Sequence, residues 1–473
     1  MKPLFLLFVC YFDLVHGQYN IVQGCIKKEM SNHCHTVTGS DRNESFITVK
    51  GNRFFKANDI YYIKGANYWQ GINLAAAAIS QSQYSDDSSS SSSSKYYHDR
   101  LMQELDQLQK MGVNNLRIMA SSEGPDTEPY RMRPSLQPSA GKYNEDVLNG
   151  LDYLLFEMKK RDMTAVMVLN NFWHWSGGFS QYIAWAASPP GSISIPYPVT
   201  RDKWDEFERF AKSFYTNELG NELFKQHIRF IQTRFNTYTG KVYNADPVIM
   251  SWQIGNEPQL PPKSWYEDIA SFIKQGSPHQ LVSSGIESKY DVQDFLNAHD
   301  VDAIDYCTCH CWAENWGKYN PTKENDLANA IQFAREFLLK IHNVYMPQLQ
   351  RPKPLIVEEF GLARDAWRYP GDSDKKYDSQ TPITHRDQYF KEGIYKVIET
   401  KKFSDNNGYF GGSNFWAFAG IGRPTDRPDS YGMTWLGDPP HERKGWYSVY
   451  DKDSTTIHVI QNHFQKLSSD DEI

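Results

Sequence analysis

Two stretches decide how this chain folds: Trp252-Gln253-Ile254-Gly255-Asn256-Glu257-Pro258 and, further on, Leu355-Ile356-Val357-Glu358-Glu359-Phe360-Gly361. Each is a short apolar run of strand character that ends on a glutamate beside a turn residue. An ionisable group at the end of a buried strand is expensive to desolvate, so a fold that sets two of them there has a use for them. Outward from these stretches, strand-like and helix-like segments alternate from about Ile60 onward. Strands are expected at 60–65, 113–119, 165–170, 248–254, 280–283, 303–310, 354–358 and 411–417. Most are short and apolar on both faces, the pattern of a buried parallel sheet. Helices, with apolar residues three and four apart, are expected at 99–111, 144–161, 218–236, 326–345, 385–400 and 456–467. Eight strands with intervening helices predict an α/β fold, a (β/α)8 TIM barrel. The long segments 120–143 and 171–203 read as loops after strands, and barrel active sites lie on the face where such loops emerge. The alternative, an open doubly wound sheet, lacks a Gly-rich turn after its first strand.

The composition is that of a soluble globular protein. Aromatics make up 14% of the 473 residues, with 13 Trp and 29 Tyr. They fill a large core or serve as stacking platforms for sugars, since Tyr and Trp carry both an apolar face and a polar handle. The net charge of -7 comes with no basic stripe, which argues against a nucleic-acid partner. Residues 1–17 read as a secretory signal, with Lys2, an apolar run over 4–11, and small Val15 and Gly17 near the cleavage point. No later stretch approaches the ~18–20 apolar residues of a membrane span. The expected mature chain is secreted, extracellular and monomeric. It has an arm at 18–45, tied by Cys25 and Cys34, and a single catalytic domain at 46–473. Asn43-Glu44-Ser45 is a glycosylation acceptor. The unbroken serine run 88–94 has nothing apolar to bury and reads as a mobile loop.

Glu257 lies between Asn256 and Pro258, which force a defined exit from the strand. An apolar pocket and a nearby carboxylate would both raise its pKa and keep it protonated. Two facing carboxyls, one protonated and one ionised, are the machinery for cleaving a glycosidic bond. Glu358 and Glu359 are adjacent, so on a regular strand they face opposite ways and only one enters the barrel mouth. Periodicity does not choose between them. Arg117, inside an apolar strand, needs an anionic partner, and contact with the nucleophilic carboxylate would keep that group ionised. His310 and Trp312 share one face of 307–312, while Cys307, Cys309 and Cys311 share the other. The thiols are therefore expected toward the helices and His310 toward the interior. A Cys/His metal site would need ligands on opposite sides of the strand, so neither metal nor cofactor is expected. Trp416 ends the last strand and could floor a sugar. Trp69, Trp173, Trp175, Trp185 and Trp316 are further ring candidates in or beside long loops.

Together these motifs resemble glycoside hydrolase family 5, and within it the endo-β-1,4-mannanases. The anchors are Gly65-Ala66-Asn67-Tyr68-Trp69, Leu116-Arg117-Ile118, Leu169-Asn170-Asn171 with Gly177-Gly178, and 246–252 leading into Asn256-Glu257-Pro258. Glu358-Glu359-Phe360-Gly361 and Phe415-Trp416 complete the set. The resemblance implies that Glu257 is the acid/base and Glu359 the nucleophile, with Arg117 bracing Glu359. It places Asn256 on the sugar 2-hydroxyl, His310 beside the cleavage point and Trp416 beneath it, and it adds Asn171 to the sugar-binding candidates. One departure is Trp312, where relatives often carry a Tyr that touches the nucleophile. An indole can donate but cannot act as an acid. The implied reaction is cleavage of internal β-1,4-mannosidic bonds in mannan, galactomannan or glucomannan, by double displacement with carboxyls roughly 5–5.5 Å apart. Rival readings are a β-1,4-glucanase, a non-catalytic carbohydrate-binding protein on the same scaffold, and transfer to a sugar acceptor in place of water.

Overall fold

Strands of the barrel are β1 (Ile63–Asn67), β2 (Asn115–Met119), β3 (Thr164–Val168), β4 (Ile249–Gln253), β5 (Leu281–Ser283), β6 (Cys307–Cys311), β7 (Leu355–Phe360) and β8 (Phe410–Phe415). All pair in parallel with their sequence neighbours, β8 returning to β1. A parallel bridge between Ser283 and Tyr306 joins β5 to β6 and completes the ring. The (β/α)8 expectation holds. Every residue of β2, β3, β4, β7 and β8 is buried, as a sheet covered on both faces requires. The computed structural model describes residues 44–79, 90–189, 191–198, 203–369, 371, 374–403 and 408–468. The signal, the Cys25/Cys34 pair and Asn43 lie outside the described residues.

Helices follow the strands, and several begin where a polar side chain caps free backbone N–H groups. Asn144 accepts from Asp146 and Val147 to open Glu145–Lys160, and Asn217 accepts from Gly220 at 2.8 Å to open Glu218–Gln232. Asp291 does the same for Val292–His299. The expected loop at 88–94 is corrected in part: helix Ser90–Lys110 begins inside the serine run. The expected loop at 171–203 contains helix Gly178–Ala186. There Gly177, at φ 92°, makes the turn and Glu123 Oε2 accepts from Gly178 N at 2.9 Å, satisfying a free N–H at the helix start. The expected helix 385–400 is three joined pieces, Thr384–Gln388, a π-helical Tyr389–Tyr395, and Lys396–Thr400.

At the strand starts, a small antiparallel sheet of Ile47–Lys50, Arg53–Lys56 and Asp59–Ile60 plugs the barrel. Its Phe54 is fully buried and meets Tyr306 edge-on at 5.4 Å. At the other end, the chain after β8 adds Phe418–Gly420, which pairs with Val449–Tyr450 around a long loop. No described helix is long and apolar enough to cross a membrane.

One irregularity falls where the barrel carries its carboxylates. Pairing of β6 with β7 runs Cys309 to Val357 and then His310 to Glu359. Glu358 is thus the extra residue of a bulge, which re-aims side chains locally. The bulge overturns the opposite facing expected from strict alternation, but only Glu359 lines the pocket at the barrel mouth, while Glu358 is held by Gln253 Nε2 (2.7 Å).

Candidate active site

The strand ends deliver the polar groups to one place. Glu257 follows β4 with φ 54°, a left-handed conformation uncommon for a non-glycine residue. It is held there by Glu257 N donating to Gly285 O (2.9 Å) and Gln259 Nε2 donating to Glu257 O (2.7 Å). His310 comes from β6, Glu359 from β7 and Arg117 from β2.

His310 Nδ1 stands 2.6 Å from Glu257 Oε1 and 3.4 Å from Glu359 Oε2. One oxygen from each glutamate and a ring nitrogen of His310 lie within 4.8 Å of one another. Trp173 Nε1 donates to Glu257 Oε2 at 2.5 Å. Arg117 Nη1 contacts Glu359 Oε1 and also donates to Asn67 Oδ1 (3.0 Å); its Nη2 reaches Asn256 Oδ1 (2.6 Å) and its Nε reaches Gln253 Oε1 (2.8 Å). Glu358 sits beside this network, accepting from Gln253 Nε2 at 2.7 Å. Three donor atoms this close could share a small cation, but the Arg117 guanidinium already meets Glu359 and supplies positive charge there.

Burial pushes the Glu359 carboxyl up, the charges of His310 and Arg117 oppose this, and Glu257 adds to it; the result is about 7. Burial acts the same way on Glu257, but hydrogen bonds from His310 and Trp173 and the charges of His310 and Lys289 overcome it and hold Glu257 below its usual range. His310 is raised to about 10 despite burial, by the carboxylates around it. The sequence reading placed the raised pKa on Glu257. In the free site it falls on Glu359, because the imidazole and indole donors both point at Glu257.

The pocket encloses about 240 Å³. Of the expected residues, Asn256, Glu257, Glu359, Trp173, Trp175, Trp312, Trp316 and Trp416 line it. Arg117 and His310 lie directly behind the carboxylates. Trp69 and Asn171 are buried and are not among the residues that line the pocket. Trp69 Nε1 is committed to Gly437 O (3.0 Å), and its ring packs on Trp175 and Trp435. Asn171 Oδ1 accepts from Trp173 N (3.0 Å) and Asn256 Nδ2 (3.2 Å). Both residues position the wall. Trp185 packs on Tyr182 instead. Trp312 meets Trp416 edge-on at 6.0 Å and leans on Tyr447 at 4.9 Å. Cys307, Cys309 and Cys311 are buried free thiols, and Cys311 Sγ lies 3.4 Å from Tyr389 Oη on the helical side, as the alternation predicted.

Several lining residues escaped the sequence reading: Trp204, Glu287, Lys289, Asn315, His441 and Glu442. Glu287 and Lys289 follow β5, a three-residue strand too short to announce what comes after it. His441 and Glu442 lie in an irregular loop with no motif.

A closed barrel with two carboxylates converging at its strand ends, braced by an arginine and an imidazole, has the architecture of a glycosidase. The chain belongs to glycoside hydrolase family 5, matching over residues 44–472 the group described as GH family 5 beta-mannosidase-like, and it is a glycoside hydrolase. It is similar to a Glycoside Hydrolase Family 5 Mannosidase from Rhizomucor miehei, with 49% identity, a TM-score of 0.82, and coverage of 91% of this chain and 99% of that one. Mannan endo-1,4-beta-mannosidase 7 of Arabidopsis thaliana is 26% identical over 89% of this chain and 85% of its own length. The endo-beta-1,4-mannanase of Thermotoga petrophila, at 20% identity, shares the fold with a TM-score of 0.58 over 87% of this chain and 78% of its own.

Proposed function

We propose that this enzyme hydrolyses β-mannosidic bonds in β-1,4-mannans and their oligosaccharides with retention of configuration. Glu359 attacks the anomeric carbon while Glu257 protonates the departing oxygen; Glu257 then activates the water that frees the sugar. The observation that carries this is the spacing of the pair. Oxygens no more than 4.8 Å apart leave no room for the water that an inverting pair, roughly 6.5–9.5 Å apart, must hold between its carboxyls. The mannan side of the reading draws on the mannosidase and mannanase relatives. The decisive experiment is Glu257→Gln assayed on mannotriose, with the anomer of the first product read by NMR. Turnover should fall about 10²–10⁴-fold, the contribution of a positioned acid/base, with the fold retained. Wild-type rates in that variant, or an initial α-anomer from the wild type, would refute the assignment. A mannan panel run against cellulose derivatives separates this reading from a β-1,4-glucanase.

A second reading concerns where along the chain the enzyme cuts. Pro439, His441 and Glu442 wall the pocket, and burial with neighbouring carboxylates holds Glu442 well above the usual carboxyl range. Its Oε2 has no protein hydrogen-bond partner. A wall of this kind around so small a space favours a terminal mannose over an internal one. Early products from mannohexaose decide: mannose with an equal amount of mannopentaose supports the chain-end reading, and a spread of shorter oligosaccharides supports internal cleavage. We further propose that residues 1–17 are removed on secretion. An N-terminus at Gln18 in the exported protein is the expected mass-spectrometric result.

A further inference from the structure

A proton donor stands on the side of the leaving group, so whatever flanks Glu257 meets the departing sugar. Trp173, which donates to Glu257, meets the ring of Trp204 edge-on with centroids 5.9 Å apart. Trp204 opens helix Trp204–Lys212, whose Phe207 and Ala211 are buried against the core. Trp204 itself is not spent there: it is 39% exposed, yet lines the same pocket as Glu257. A large flat ring left open at the mouth of a polar pocket offers an apolar face with an N–H at its edge. Glu257 is flanked as well by the Glu287–Lys289 ion pair (2.6 Å), tied in by Gln259 Nε2, which donates to both Glu257 O (2.7 Å) and Glu287 Oε2 (2.8 Å). Lys289 and Glu287 also line the pocket.

We propose that Trp204 is the platform on which the leaving-group sugar stacks, with the Glu287–Lys289 pair beside it to hydrogen-bond that sugar's hydroxyls. The ligand is a neutral pyranose, which has an apolar face for the ring and hydroxyl edges for the ion pair. This rests on the β-mannoside reading above and goes beyond it by assigning the leaving-group side.

The test compares wild type with Trp204→Ala and Trp204→Leu on two substrates: mannotriose, and β-mannosyl fluoride, whose leaving group has no face to stack. Both variants should lose roughly tenfold in kcat/KM on mannotriose, carried by KM and equivalent to about 1.4 kcal/mol. Both should lose far less on β-mannosyl fluoride than on mannotriose. Trp204→Phe, which keeps a flat ring, should recover most of the loss. Equal losses on both substrates would mean that Trp204 supports the fold, and no loss on mannotriose would mean that it touches nothing; either overturns the proposal. If the wild type cleaves neither substrate, the β-mannoside reading itself fails.

Discussion

At the scale of single residues, the site is a question of where one proton sits. Oxygens of Glu257 and Glu359 within 4.8 Å of each other titrate as a pair, in two steps that belong to both. Hydrolysis needs the pair to carry one proton. The upper step lies near 7, so activity should fall as pH rises through about 7 and that proton leaves. The lower step is held below the ordinary glutamate range, so activity should persist in mild acid and fall only when the second carboxyl protonates and the nucleophile is lost. His310, charged over this range, favours the ionised form of both carboxyls. In His310→Asn both limbs of the kcat/KM profile should therefore move to higher pH, along with a loss of rate. A profile that drops in rate without shifting would show that His310 acts by position alone. Glu257, Arg117 and His310 were legible in the sequence, because a polar group inside or at the end of an apolar strand stands out; between Glu358 and Glu359 only the family resemblance chose. Which glutamate carries the raised pKa was not, because it depends on donors from Trp173 and His310, residues far off in the chain.

Among elements, the strands were read at nearly the right places and the irregular pieces were not. Parallel strands buried on both faces are uniform apolar runs, so all eight were found. The bulge at Glu358 has no local sign, since it exists only as a register between β6 and β7. Helix Gly178–Ala186 hid in a long expected loop because its start depends on Glu123, which is distant in sequence. Gly177 is the hinge of this arrangement. An added Cβ would meet Glu123 O at 2.1 Å, and the residue stands at φ 92°. Gly177→Ala should therefore push the turn His174–Ser176 outward and carry the adjacent Trp173 away from Glu257. The expected result is a lower kcat together with a lower denaturation midpoint, the backbone strain alone being of order 1–3 kcal/mol. A fully active, fully stable variant would show that the turn yields elsewhere.

The barrel as a whole separates stability from chemistry. Phe54 plugs the end where the strands begin, while the carboxylates stand where the strands end. Phe54→Ala should lower stability by about 3–5 kcal/mol, as loss of a buried aromatic does. In urea this appears as an earlier midpoint, with kcat on mannotriose unchanged below the transition. A matching loss of kcat in the folded protein would mean that the two ends are coupled.

Taken alone, the chain determined its barrel and Glu257 and narrowed the second carboxylate to Glu358 or Glu359, because apolar periodicity and charged residues in apolar strands are local properties that need no partner to be seen. Tertiary structure alone decided the rest. Trp204, Lys289 and Glu442 reach the pocket on loops and a helix end that only the closed ring brings together, and Trp69 and Asn171 are turned to support because their hydrogen-bond partners lie on other elements. Proximity and proton sharing depend on groups distant along the chain, and no window of sequence contains both members of such a pair.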